Sequence, residues 1–156
     1  MLTINAELLK AAYQTGRRDF SQSQLQNVCL QKAHLADINL SYAYLNRAKL
    51  NKVNLEKAFL NRVVLYAANL KQAHLYRASL IEANLENANL SHAIITHANL
   101  FGANLQNANL EHAHLIWTNL RSANLKDASL EGANLNNAKF CQTIMPDGSI
   151  RNDDCG

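Results

Sequence analysis

Residues 81–110 read IEANLENANLSHAIITHANLFGANLQNANL, and in this stretch an apolar Leu or Ile closes every block of five residues. The same spacing extends outward in one frame from Phe20 to Phe140, and the residue is Leu everywhere except Phe20, Ile95 and Phe140. Ala is the most frequent residue two positions before it. A short repeat that never slips is typical of a solenoid, in which each unit packs on its neighbours.

The period of five excludes the two common elements. Positions five apart on an α-helix are rotated by roughly 140°, so they form no apolar stripe. A flat strand alternates its side chains, so an odd spacing would place successive Leu residues on opposite faces. The five-residue pattern can bury every Ala and Leu if both point inward on a very short extended segment. The other three residues of each repeat then face outward and form the turn to the next segment. The sequence therefore predicts an all-β fold, a β-solenoid whose coils stack about 4.8 Å apart.

From about Arg18 to Thr143 the chain resembles the pentapeptide repeat proteins, whose consensus is A(D/N)LXX. The resemblance implies a right-handed quadrilateral β-helix with twenty residues per coil, hence about six coils here. The segments 8–20 and 143–148 are similar to the leading helix and the closing turn of cyanobacterial members.

We expect three segments: an N-terminal helical cap at 1–17, the β-solenoid at 18–143 and a C-terminal cap or tail at 144–156. A solenoid needs caps because its two ends expose strand edges. Asn5 can begin a short α-helix, and Gly16 can end it. At the other end, Pro146-Asp147-Gly148 predicts a turn and a hairpin.

Three Cys residues bear on the compartment. Cys141 and Cys155 flank the predicted turn and can form a disulfide, although they would stay free in a reducing cytosol. Cys29 has no obvious partner. No apolar run is long enough for a membrane span, and residues 1–20 do not resemble a secretion signal. We expect a cytoplasmic protein, with the thylakoid lumen or periplasm as the alternative if a leader was removed.

No catalytic, cofactor or metal site is expected. Leu and Ala fill the interior and leave no cleft, and no catalytic group of residues is recognisable. Three His residues on one corner, His92, His112 and His114, could meet a cation, but no carboxylate or thiolate completes that site.

Apolar residues at outward positions form two candidate interaction surfaces. Protein interfaces favour exposed aromatic and Arg side chains, whereas the simpler alternative is that these residues merely cover the coil. The front patch consists of Tyr42, Tyr44, Arg47, Phe59, Arg62, Val64 and Tyr66. The back patch consists of Tyr76, Ile81, Ile94, Phe101, Ile116 and Trp117.

Charge is uneven along the chain. Residues 1–78 hold eleven Lys or Arg and four Asp or Glu, a balance of +7, and residues 79–156 hold four and eight, a balance of −4. A basic half could attract an acidic partner or nucleic acid. The reversal of charge along the chain argues against nucleic acid, and a solvated basic face is the simpler interpretation.

The sequence thus favours a non-enzymatic scaffold that binds an unidentified protein, as a monomer or as a weak end-to-end or side-to-side dimer. The resemblance implies one alternative, because some pentapeptide repeat proteins imitate duplex DNA and regulate DNA gyrase. Those proteins are strongly acidic, whereas this sequence has a pI near 8.8. A weak metal- or anion-binding surface is a further alternative.

Overall fold

The computed structural model describes residues 4–155. It begins with helix α1, Ala6–Gln14. The Asn5 side chain accepts a hydrogen bond from the Leu8 amide at 2.9 Å, which satisfies one of the free N–H groups of the first turn. Leu9 is fully buried, so the helix lies on the coil through that side chain. Residues 1–3 of the predicted cap and Gly156 of the predicted tail lie outside the described residues.

From Asp19 onward the backbone winds into a stack of parallel coils. Each parallel bridge joins residues twenty apart, from Asp19↔Asn39 to Asn124↔Ile144. The Leu65 amide donates to the Asn84 carbonyl at 2.7 Å, and the Asn84 amide donates to the Val63 carbonyl at 2.9 Å. Four five-residue segments therefore complete one four-sided coil.

A tight turn joins successive segments. It is closed by bonds such as that from the Ala68 amide to the Leu65 carbonyl, 3.0 Å. The second residue after each Leu has a positive φ, for example 54° at Ala67 and 57° at Gln72. A positive φ at the third of four turn residues is the mark of a type II β-turn.

Leu and Ala fill the interior, as the spacing predicts. The Leu side chains from Leu25 to Leu125 are at most 2% exposed, and Phe20 and Phe140 close the two ends at 1%. Thr118 replaces Ala without leaving a polar group unpaired, because its hydroxyl donates to the Ile95 carbonyl at 2.9 Å. Leu130 and Leu135 are only partly buried, so two sides of the last coil are less covered than the rest.

The chain closes with a small hairpin. Strand β1, Thr143–Ile144, pairs antiparallel with β2, Ile150–Arg151. Cys141 and Cys155 form a disulfide across it, with their Cα atoms 4.9 Å apart. Cys29 is a free, exposed thiol.

No helix within residues 4–155 is long and apolar enough to cross a membrane.

Candidate interaction surfaces

The residue before each Leu points outward and is most often Asn. These Asn side chains hold the next turn: Asn84 accepts from the Glu86 amide at 3.0 Å, and Asn109 accepts from the Glu111 amide at 2.9 Å. Such bonds are typical of Asx turns. Stacking between amides is also present, since Asn119 donates to Asn99 at 2.9 Å. These Asn side chains are therefore committed to holding the coil, and the outward positions that depart from Asn are the ones available for recognition.

The first part of the front patch is a corner built on Arg62. Its Nε donates to the Glu82 carboxylate at 2.6 Å, and its guanidinium lies 5.8 Å from the centroid of the Tyr42 ring. The hydrogen bond from Arg62 to Glu82 raises the pKa of Arg62 further above its usual value. Tyr42 itself is 49% exposed. The corner presents an aromatic ring and a cation whose charge is partly neutralised by Glu82.

The second part of the front patch is a shallow groove of about 370 Å³ on the next corner. Tyr44, Arg47 and Tyr66 contribute side chains to its walls together with Gln26, Asn27 and Asn46. Val64 lies beside Tyr44 in a parallel bridge. We call this the tyrosine groove. It brings three of the predicted residues to one concave surface.

Phe59, the remaining member, lies on a different face. It is 53% exposed and stacks between Asn39 and Ser79. The structure thus divides the predicted front patch into a corner, a groove and a separate exposed ring.

The back patch is centred on an aromatic column of Tyr76, His97 and Trp117, of which the sequence prediction lacked His97. His97 packs edge-on to Tyr76 with ring centroids 5.7 Å apart, and it stacks parallel to Trp117 at 6.3 Å. Arg77 lies 5.2 Å from the Tyr76 ring centroid. His97 is twenty residues before Trp117, so the coil period could have revealed it.

The other members of the back patch are less exposed than Trp117. Ile94 and Ile116 are half-buried, and Ile116 directly precedes Trp117 in the sequence. Ile81 is also half-buried, and Phe101, 42% exposed, lies one coil on from it at another corner.

The three His residues considered for a metal do not form one group. His92 and His112 stack with ring centroids 5.0 Å apart and an interplanar angle of 19°. The nitrogen lone pairs lie in the ring planes, so near-parallel rings do not converge on one ion. A Cβ at Gly132 would overlap the His112 ring, which therefore rests over this glycine. Among residues 4–155 no three His, Cys, Asp or Glu side chains are arranged to hold a metal ion.

These features define a class: a β-solenoid of five-residue repeats with a closed apolar interior. The pentapeptide repeats family model matches residues 19–56, 58–96, 68–107, 98–137 and 108–146. The chain belongs to the pentapeptide repeat family, as the residues 18–143 suggest. Family members form right-handed quadrilateral β-helices, and the four-sided coil described above agrees with that fold.

Two solved structures, each with a TM-score of 0.62, support the same fold. A pentapeptide repeat protein, Rfr23, from the cyanobacterium Cyanothece 51142 is 29% identical with a TM-score of 0.62, over 90% of this chain and 99% of that one. A trypsin-treated variant of QnrB1, a plasmid-mediated fluoroquinolone resistance protein, is 19% identical with a TM-score of 0.62. The match covers 78% of this chain and 65% of the QnrB1 chain. HetL from the cyanobacterium Nostoc sp. PCC 7120, a pentapeptide repeat protein involved in heterocyst differentiation regulation, is 26% identical over 95% and 100%, with a TM-score of 0.34. No curated protein matches the sequence.

Proposed function

We propose that the protein is a non-enzymatic scaffold that binds another protein through the front patch. The observation that carries this proposal is the tyrosine groove, where Tyr44, Arg47 and Tyr66 line one concave surface. Tyr and Arg are enriched among the residues that dominate binding energy at interfaces. A groove of this kind accepts an apolar or aromatic anchor while its polar groups set the orientation.

The ordered backbone of the tyrosine groove lowers the entropy cost of binding a partner. The residues that carry the groove belong to coils bonded on both sides, as in the bond from the Tyr44 amide to the Ser23 carbonyl at 2.9 Å and that from the Leu45 amide to the Val64 carbonyl at 2.7 Å. A surface that is already ordered loses little conformational entropy on association.

Charge indicates the partner's chemistry. The half of the chain that contains the groove has a balance of +7, and Arg47 lies in the groove wall. We therefore propose a partner segment that carries acidic residues beside an aromatic or aliphatic anchor. Long-range attraction would raise the association rate and would weaken with salt.

The test compares proteins captured from the source organism by the wild type, by Tyr44→Ala/Tyr66→Ala, and by Tyr76→Ala as an aromatic control outside the groove. We expect one partner to be lost only with the groove variant, with a fall in its affinity of at least about tenfold, because a buried aromatic anchor commonly contributes 2 kcal/mol or more. Thermal unfolding of each variant checks that the coil is intact.

Identical partner sets for the three proteins would remove the tyrosine groove from consideration. Inhibition of DNA gyrase supercoiling by the wild type would instead favour the DNA-mimic alternative. The likeness to QnrB1 is at the level of fold, at 19% identity, and does not carry that activity to this chain.

We also propose that α1 and the C-terminal hairpin cap a stack of about six coils, and that the protein acts as a monomer. Each cap covers an end that would otherwise expose strand edges. The disulfide between Cys141 and Cys155 supports an oxidising compartment over the cytoplasm.

A further inference from the structure

We propose that a groove between α1 and the first coils binds a small organic phosphate of nucleotide size. The groove has a volume of about 490 Å³, within the usual range for small-molecule sites. It shares no lining residue with the tyrosine groove. Its lining consists of Lys10, Tyr13, Gln14, Arg18, Gln31, Lys32, Ala33, His34 and Leu35.

The walls of this phosphate groove carry positive charge from two different elements. Lys10 comes from α1, whereas Arg18 and Lys32 come from the coil side, and no Asp or Glu is among the lining residues. Lys32 makes no ion pair within the described part of the chain. Lys10 has one carboxylate nearby, Glu7 at 3.7 Å, which is an exposed pair of small energetic weight. Three cations around one volume favour a ligand with more than one negative charge.

Arg18 is held in place before any ligand arrives. Its Nη1 donates to the Tyr13 carbonyl at 2.8 Å and to the Arg17 carbonyl at 3.2 Å, and its guanidinium lies 3.8 Å from the Tyr13 ring centroid. Its Nε and Nη2 make no hydrogen bond within residues 4–155, so both can donate to phosphate oxygens. A fixed guanidinium fork matches phosphate geometry and loses little freedom on binding.

The lining of the phosphate groove also has an apolar part, which includes Tyr13 and Ala33 and which we call its apolar floor. Tyr13 is fixed by a hydrogen bond from its hydroxyl to the Ala36 carbonyl, 2.8 Å. Ala33 is only partly buried, unlike Ala43 and Ala48, which are fully buried. An apolar floor beside a cationic wall suits an organic body that carries a phosphate, such as a nucleotide, better than inorganic phosphate alone.

The test is calorimetric titration of the full chain with ATP, pyrophosphate and adenosine at low and moderate salt. We expect ATP to bind more tightly than pyrophosphate, adenosine to show no measurable binding, and added salt to weaken both phosphates. Lys32→Glu should weaken ATP binding by about tenfold or more, because it replaces a phosphate-facing cation with an anion.

Lys126→Glu is the control. Lys126 is an exposed Lys near the other end of the coil, and it does not line the phosphate groove. Five coils of about 4.8 Å separate it from the level of Gln26, well beyond a screening length of roughly 10 Å at moderate salt, so the same charge reversal there should weaken ATP binding less than about threefold.

Absence of ATP binding by the wild type at millimolar concentration would overturn the proposal, as would equal losses in the two variants. Polyglutamate that binds as tightly as ATP would also overturn it, because charge alone would then be recognised. Equal affinity for ATP and pyrophosphate would refute the role of the apolar floor.

Discussion

At the scale of the residue, the second position after each Leu is the most constrained outward site. Its φ is positive along the whole coil, from Gln22 to Gln142, and most of the residues there are not glycine. Val, Ile and Thr never occur at this position. A β-branched side chain is the least compatible with the left-handed region, so this absence follows from the backbone.

Gln72→Val should therefore lower the free energy of unfolding by about 1–3 kcal/mol, the usual strain of an unsuitable residue in a rare backbone region. Gln72→Gly should change it by less than about 1 kcal/mol, because relief of strain opposes the greater freedom of the unfolded chain. Denaturant unfolding of the two variants measures the difference. A Val variant as stable as the Gly variant would contradict this reading of the turn.

The residue scale also shows where sequence reasoning succeeded. Inward Leu and Ala positions followed from the five-residue period, because burial is fixed by the direction of each side chain. The Asn bonds to the next turn, such as that of Asn84, were not foreseen, because an amide beside a turn can reach either the main chain or the stacked amide above it.

At the scale of the element, the C-terminal hairpin is held by more than its two short strands. The Asp154 carboxylate accepts from the Phe140 amide at 2.9 Å, and the Asp154 amide donates to the Phe140 carbonyl at 2.8 Å. Arg121 donates to the Asp154 carbonyl at 2.8 Å. The turn at Pro146 was readable from sequence, but these contacts depend on how the tail folds back.

Removing the disulfide measures how much it contributes to the stability of the C-terminal hairpin. Cys141→Ser/Cys155→Ser, or reduction of the wild type, should lower the free energy of unfolding by up to about 3 kcal/mol, because the disulfide joins residues 14 positions apart and closes a loop in the unfolded chain. Cys29→Ser, which changes a free exposed thiol, should leave it unchanged. An unfolding midpoint unaffected by reduction would mean that the hairpin contacts alone hold the tail.

At the scale of the whole molecule, each coil bonds only to the coil before it and the coil after it. Stability is then close to a sum over coils and their contacts. The coil period of twenty residues accounts for the contact of Arg62 with Tyr42 and for the pairing of Tyr44 with Val64. It could not show that the front patch divides among three surfaces, because the reach of long side chains such as Arg62 is set by neighbours like Glu82.

Deleting residues 81–100 should leave a folded protein one coil shorter, because Leu80 would then be followed by Phe101 in the same frame. Deleting residues 81–99 removes one residue fewer, yet it shifts every later Leu out of the core and should prevent the later coils from folding. Circular dichroism during heating and solution scattering measure the two outcomes. A 19-residue deletion as stable as the 20-residue deletion would contradict the frame argument.

The stacking of each coil on its predecessor also sets an order for folding during synthesis. Helix α1 and Phe20 leave the ribosome before the coils that follow them, and each later segment pairs with a segment twenty residues back that has already been synthesised. No segment of the coil has to wait for a distant part of the chain. The most recently formed coil therefore exposes the strand edge on which the next coil pairs, and the hairpin at residues 143–151 covers that edge only after the whole coil has been synthesised.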